Sequence, residues 1–147
     1  MELLPVKQHL EENKEFLDNP ECAGTIHMTI DFFNKIGYHF PWTGYYASVN
    51  GELVGSAAFK GRPVDGKVEI AYGTIPRFRS KGIGTEICKK LIELSIATDP
   101  SVRIFARTLP EENHSVAILR KNGFEFQGTV DDPEDGPVWE WEYKVRG

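Results

Sequence analysis

Cysteine is scarce in this chain: Cys22 and Cys88 are the only two in 147 residues. Two are too few for a disulfide framework, and no CxxC pair exists to hold zinc or run redox chemistry. A reducing, cytoplasmic setting is the expectation. An excess of positive charge is also lacking. The formal net charge is −5, which argues against a nucleic-acid-binding surface. No apolar run approaches membrane-spanning length, so no membrane partner is expected. The first residues, MELLPVKQHLEENKEF, have neither a basic nor an apolar signal-peptide region. Repeats, linkers and low-complexity tracts are absent. The acidic run Asp131-Asp132-Pro133-Glu134-Asp135 matches no EF-hand spacing. It reads as a solvated connection, and no metal is expected. What remains is 40 % hydrophobic and 27 % charged, the balance of one globular domain spanning residues 1–147.

One stretch organises the rest: Val68 to Thr85, VEIAYGTIPRFRSKGIGT. Val68 to Ile75 is β-branched and aromatic and reads as a strand. Pro76 ends its hydrogen-bond ladder. Arg79-Ser80-Lys81-Gly82-Ile83-Gly84 then forms a basic glycine loop, and Thr85 opens a run with helical spacing. Unpaired N–H groups at a helix start favour an anion, so the loop reads either as a phosphate site or as an ordinary strand-to-helix turn. It is not a P-loop, which needs GxxxxGK[ST]. It is not a dinucleotide fingerprint either, since Gly82-Ile83-Gly84 lacks the third glycine of GxGxxG. Arg77, Arg79, Lys81, Lys89 and Lys90 stand against Glu86 alone, a local charge that suits a polyanionic ligand.

The flanking chain gives the element order. Leu3 to Val6 is a short strand, and Lys7 to Asp18 reads as one helix ended by Asn19-Pro20. Thr25 to Ile36 is a second helix, apolar along Ile26, Ile30 and Phe33 and closed by Gly37. The cluster Tyr38-His39-Phe40-Pro41-Trp42 suits core packing or an acceptor pocket. Asn50-Gly51 joins Tyr45–Val49 to Leu53–Phe59 as a type I′ hairpin. After the loop, Ile83, Ile87, Leu91 and Leu94 mark a helix to about Ala97, with Cys88 on its core side. Val102–Arg107 is a strand, Asn113 or Ser115 starts a short helix, and Phe124–Val130 and Val138–Lys144 are the last strands. Trp139, Trp141 and Tyr143 share one face of the last, which suits either the core or a homodimer contact. This order predicts a mixed α/β, or α+β, domain.

Arg79-x-x-Gly82-x-Gly84, preceded by Glu69 and Pro76, resembles the pyrophosphate signature of the GNAT superfamily, the acyl-CoA-dependent N-acyltransferases. A second block, Asn113-His114-Ser115 through Lys121-Asn122-Gly123-Phe124, is similar to the family's later helix. Its ending lies nearest to the branch that acetylates ribosomal-protein N-termini. The resemblance implies a mostly antiparallel, twisted sheet of about seven strands with about four helices and splayed central strands. It implies acetyl-CoA as co-substrate and an amine as acceptor. It places the pantetheine arm on the backbone of Thr74 and Ile75. Arg79, Ser80, Lys81, Gly82, Ile83, Gly84 and Thr85 would hold the pyrophosphate. Asn113 would contact the cofactor from across the cleft, or simply cap its helix. Glu69 matches the general base and, without the resemblance, is a glutamate on a half-exposed strand. At the usual tyrosine position that protonates the leaving thiolate stands Leu119, which leaves Ser115, or a water held by it, for that role. A catalytically silent acyl-CoA-binding module is the alternative the resemblance allows.

Overall fold

The computed structural model describes residues 1–144. Seven strands form one sheet in the order β1-β2-β3-β4-β5-β7-β6. These are β1 (Glu2–Pro5), β2 (Gly44–Val49), β3 (Glu52–Phe59), β4 (Lys67–Thr74), β5 (Arg103–Thr108), β6 (Phe124–Asp132) and β7 (Gly136–Tyr143). Every neighbouring pair is antiparallel except β4 with β5. A parallel pair needs a crossover, and α3 (Ile83–Thr98) supplies it. The other helices are α1 (Lys14–Leu17), α2 (Ala23–Ile36) and α4 (His114–Lys121).

The asparagine-glycine hairpin forms as its turn residues require. Asn50 and Gly51 sit at φ 51° and 82°, the two left-handed positions of a type I′ turn. On β4, Val68 and Ile70 are buried against the helix side. There they meet Ile87, Cys88 and Leu91 of α3, with Leu119 and Val116 of α4, in the main core. Cys88 is fully buried and its thiol is pushed up to about 12 by that burial, as befits a core residue. A smaller core joins Val6, Phe16, Cys22, Ile26, Ile30 and Tyr46 under α2.

Two expectations need correction. The stretch from Lys7 to Asp18 is not one helix. It is a single 3-10 turn over Leu10–Glu12 followed by the one-turn α1. Asn13 breaks it. Its buried side chain accepts from the Lys7 N–H at 2.8 Å and donates to the Lys7 and His9 carbonyls. A short polar side chain that satisfies nearby backbone competes with helix. The acidic connection is solvated but shorter than expected, an exposed turn over residues 133–135. β6 continues through Asp132, which pairs with Gly136 across a tight hairpin. The Asp132 carboxylate accepts from the Glu134 and Asp135 N–H groups and so builds the turn. The final aromatic face turns inward: Trp141 is fully buried, and its indole N–H donates to Thr108 Oγ1 at 3.1 Å.

Candidate active site

The β4–β5 ladder is only three residues long, Lys67 to Glu69 against Arg103 to Phe105. Beyond Glu69 the strands part, while β4 stays paired to β3 as far as Thr74. The parting opens a cleft of about 270 Å³ through the sheet. Residues from both faces of β4 therefore reach it. Glu69 and Tyr72 line it from β4, and Arg107 and Thr108 from β5. Ser115 and Leu119 come from α4, Asp132 and Asp135 from the β6–β7 hairpin, and Lys60 from the end of β3.

The backbone edge facing this cleft follows from strand alternation. Lys60 N–H donates to the Glu69 carbonyl, and Ile75 N–H to the Val54 carbonyl, so the odd residues of β4 bond β3. The even ones, Ile70, Tyr72 and Thr74, turn their N–H and C=O groups to the open side. Thr74 can thus offer backbone groups to an extended ligand. Ile75 is less free: its N–H donates to Val54, and its carbonyl accepts from Phe78 N–H at 2.8 Å where Pro76 starts a 3-10 turn.

Past the end of β4 the glycine loop leads into the N-terminus of α3, where a Cβ on Gly84 would stand 3.4 Å from Thr74 Oγ1. Gly82 is the N-cap residue of α3, at φ 77° with open space where a Cβ would stand. Ser80 also lies in the left-handed region, at φ 66°. No described residue accepts a hydrogen bond from the N–H groups of Ser80, Lys81, Gly82, Ile83, Gly84 or Thr85. The result is a concave row of free donors at a positive helix end. Arg79 and Lys81 are exposed and have no carboxylate partner among the described residues. Arg77, by contrast, is held by Glu21 at 2.9 Å and by Glu52 at 3.6 Å, and Lys90 faces Glu93. Folding thus narrows the basic cluster of the sequence at the loop itself to Arg79 and Lys81. Gly84 has a different reason for its size. It is buried, and a Cβ there would come within 2.8 Å of Ile118 Cδ1, so it lets α3 and α4 pack.

Asn113 is the N-cap of α4, its side-chain oxygen accepting from Val116 N–H at 3.0 Å. The capping role is therefore filled, and only its amide NH₂ remains for a ligand. Ser115 sits inside the helix and does not cap it. It is one turn before Leu119, so the two share the face that lines the cleft.

Glu69 is the carboxylate of the cleft whose proton affinity is raised. Burial raises its pKa above the ordinary carboxylate range, and Asp132 adds to this; the charges of Lys60 and Arg107 oppose it. Its Oε2 lies 3.4 Å from Lys60 Nζ. Arg107 is pinned between Asp132 at 3.1 Å and Glu140 at 3.4 Å. The Asp132 carboxylate is held below its usual range, first by the two turn N–H groups and then by Arg107. Glu69 and Asp132 are thus two carboxylates of one cleft whose surroundings push their proton affinities in opposite directions. Lys60, Tyr72, Arg107 and Asp132 were not singled out as site residues from sequence. Only Tyr72 carried a usable signal, being two residues from Ile70 on the same strand face. Its hydroxyl lies beside the Cys88 thiol, and burial raises its pKa well above the usual phenol range.

The model of the acetyltransferase (GNAT) domain family matches residues 2–125. The chain belongs to that family. It is 36 % identical over 76 residues to the uncharacterized N-acetyltransferase YjdG of Bacillus subtilis (strain 168). That match takes in 51 % of this chain and 45 % of YjdG, so the chain spans less than half of that relative's length. Among solved structures, AAC(6')-Ib in complex with ribostamycin and coenzyme A is 25 % identical. That match has a TM-score of 0.71 and covers 96 % of this chain and 91 % of the other. RimL, a ribosomal L7/L12 alpha-N-protein acetyltransferase in complex with coenzyme A, is 15 % identical. Its TM-score is 0.70, with 97 % and 93 % covered. The parted β4 and β5 and the mostly antiparallel seven-stranded sheet are the GNAT fold. Among the described residues no group of side chains could hold a metal ion, and no helix is long and apolar enough to cross a membrane.

Proposed function

We propose that the whole chain, as one domain, transfers an acetyl group from acetyl-CoA to a primary amine by direct attack. The observation that carries this reading is Glu69. It is a carboxylate with raised pKa, at the point where β4 and β5 part, in a chain of this family. The residues present fit acetyl-CoA. The row of free N–H groups from Ser80 to Thr85, with Arg79 and Lys81, offers a cradle for its pyrophosphate. The open backbone edge at Tyr72 and Thr74 offers partners for the amides of its pantetheine arm. The neighbours AAC(6')-Ib and RimL in complex with coenzyme A support the same assignment.

The acceptor amine must lose a proton before it can attack. Glu69, directly or through water, takes it. The amine lone pair forms the new C–N bond at the acetyl carbonyl. The tetrahedral oxygen is stabilised by backbone N–H groups of β4 that no longer pair with β5. The C–S bond then breaks and the thiolate takes a proton. Leu119 cannot supply it, and Ser115, or water held by it, lies on the same helix face. The acceptor class is an amine whose carrier tolerates the carboxylates of Asp132 and Asp135 at the cleft wall. The two cysteines, both free and buried, fit a reducing cytoplasmic setting.

The test is thiol release from acetyl-CoA against a panel of peptide, amino-sugar, polyamine and amino-acid amines. Amine-dependent release is expected. Replacing the base with Glu69→Gln is expected to slow it by about 10²- to 10⁴-fold, with acetyl-CoA binding by titration calorimetry unchanged. Tight binding without release from any amine would favour the second reading, a silent acyl-CoA-binding module. Leu119 at the proton-donor position is the observation on its side.

A further inference from the structure

Lys60 places an amine where the proposed reaction needs one. Its Nζ lies 3.4 Å from the Glu69 carboxylate, and its backbone N–H donates to the Glu69 carbonyl at 2.8 Å. The backbone bond sets Lys60 opposite Glu69 at the strand end, and the side-chain contact lays its Nζ beside the carboxylate at the cleft wall. Lys60 is the only lysine among the residues that line it. The other cation facing Glu69 is Arg107, from β5. Its guanidinium stays protonated at any working pH and is held by Asp132 and Glu140, so it is no nucleophile. Asp132 and Asp135 face the same space from the β6–β7 hairpin.

We propose that Lys60 is a self-acetylation site, its Nζ occupying the acceptor-amine position beside Glu69 until an external amine displaces it. The proposal rests on the acetyl-transfer reading above. The step balances with acetyl-CoA as the only co-reactant. The Lys60 ammonium gives one proton to the Glu69 carboxylate, which passes it to solvent. The freed lone pair forms an N–C bond at the acetyl carbonyl carbon. The C–S bond breaks with its electron pair on sulfur, and the second proton lost from nitrogen ends on that thiolate. The products are Nε-acetyl-Lys60 and CoA. The modified side chain is uncharged and no longer pairs with Glu69. The base then keeps only Arg107 as a nearby cation, so the reaction also alters the site that performed it.

Incubating the purified full chain with acetyl-CoA and no acceptor tests this, read by intact mass and by peptide mapping. Acetylation of Lys60 is expected to exceed that of exposed Lys89 by about a hundredfold, the scale of positioned base catalysis. Its rate constant should not change with protein concentration. Glu69→Gln should reduce it by a similar factor, and Lys60→Arg should remove that acetyl group alone. Adding a productive amine should slow it. The proposal is overturned if Lys60 is modified no faster than Lys89, or equally fast in Glu69→Gln. Amine-dependent thiol release in the same preparation separates the two ideas. Release with Lys60 unmodified overturns self-acetylation alone, whereas failure to bind acetyl-CoA removes the acetyl-transfer reading as well.

Discussion

The glycine loop at one end of the candidate site and the cleft around Glu69 at the other are built in different ways. The loop from Arg79 to Thr85 is contiguous, and its chemistry comes from backbone N–H groups and two exposed cations. The opposite end gathers Lys60, Glu69, Arg107, Asp132 and Asp135 from four separate strands or their ends. There, ion pairs join residues from different strands: Glu69 with Lys60, and Arg107 with Asp132 and Glu140. The donors of the first end are set by local backbone, with little help from the rest of the fold. The second has no chemistry until the sheet has formed and β5 and β7 have brought their residues alongside β4.

The largest effect should come from reversing charge at the contiguous end. Arg79→Glu with Lys81→Glu is expected to weaken acetyl-CoA binding at least a hundredfold. Each charged hydrogen bond is worth about 1.5–3 kcal/mol, and both positions would now repel the ligand. Calorimetric titration checks this. Thermal stability should hardly move, since neither residue has a carboxylate partner among those described. Equal binding by the variant would break the division of labour drawn here.

A smaller effect probes why Gly84 is small. Gly84→Val forces bulk against Ile118 and should cost about 1–3 kcal/mol of stability, read as a lower denaturant midpoint. Pairing it with Ile118→Ala should cost less than the two changes summed, because both act in one space. Strict additivity would remove helix packing as the reason for this glycine. Loss of binding at unchanged stability would assign Gly84 to the ligand instead.

The smallest effect concerns the assembled end. In the proposed reaction Glu69 would act as a base only when ionised, and its pKa lies above the ordinary carboxylate value. The acid limb of the pH–rate profile should therefore fall above the usual carboxylate range. Lys60 opposes the shift, so Lys60→Met should raise the pKa further and move that limb to higher pH. A plateau at alkaline pH close to that of the native chain is the accompanying expectation. A limb that stays in place would mean that Lys60 does not tune Glu69, leaving burial, Arg107 and Asp132 to set it.

Much of this was legible without coordinates. Apolar spacing located α2 and α3, the asparagine-glycine pair located the first hairpin, and Pro76 with the glycines located the loop. These are local signals, because backbone geometry and burial period act over a few residues. The failures were also local in appearance but not in cause. Lys7 to Asp18 has helical spacing, yet Asn13 spends its side chain on the backbone of Lys7 and His9. The acidic run resembles a loop, yet cross-strand pairing carries β6 to Asp132.

The sequence by itself determined the element order, the family and the glycine loop, since each is written in neighbouring residues. Only the tertiary structure decided which charges matter. Arg77 is neutralised by Glu21 and Glu52, the Ile75 N–H is spent on Val54, and Lys60 is laid against Glu69. Such pairings depend on distance through space, and a carboxylate's proton affinity depends on what surrounds it. Both are fixed only when strands far apart in the chain lie side by side.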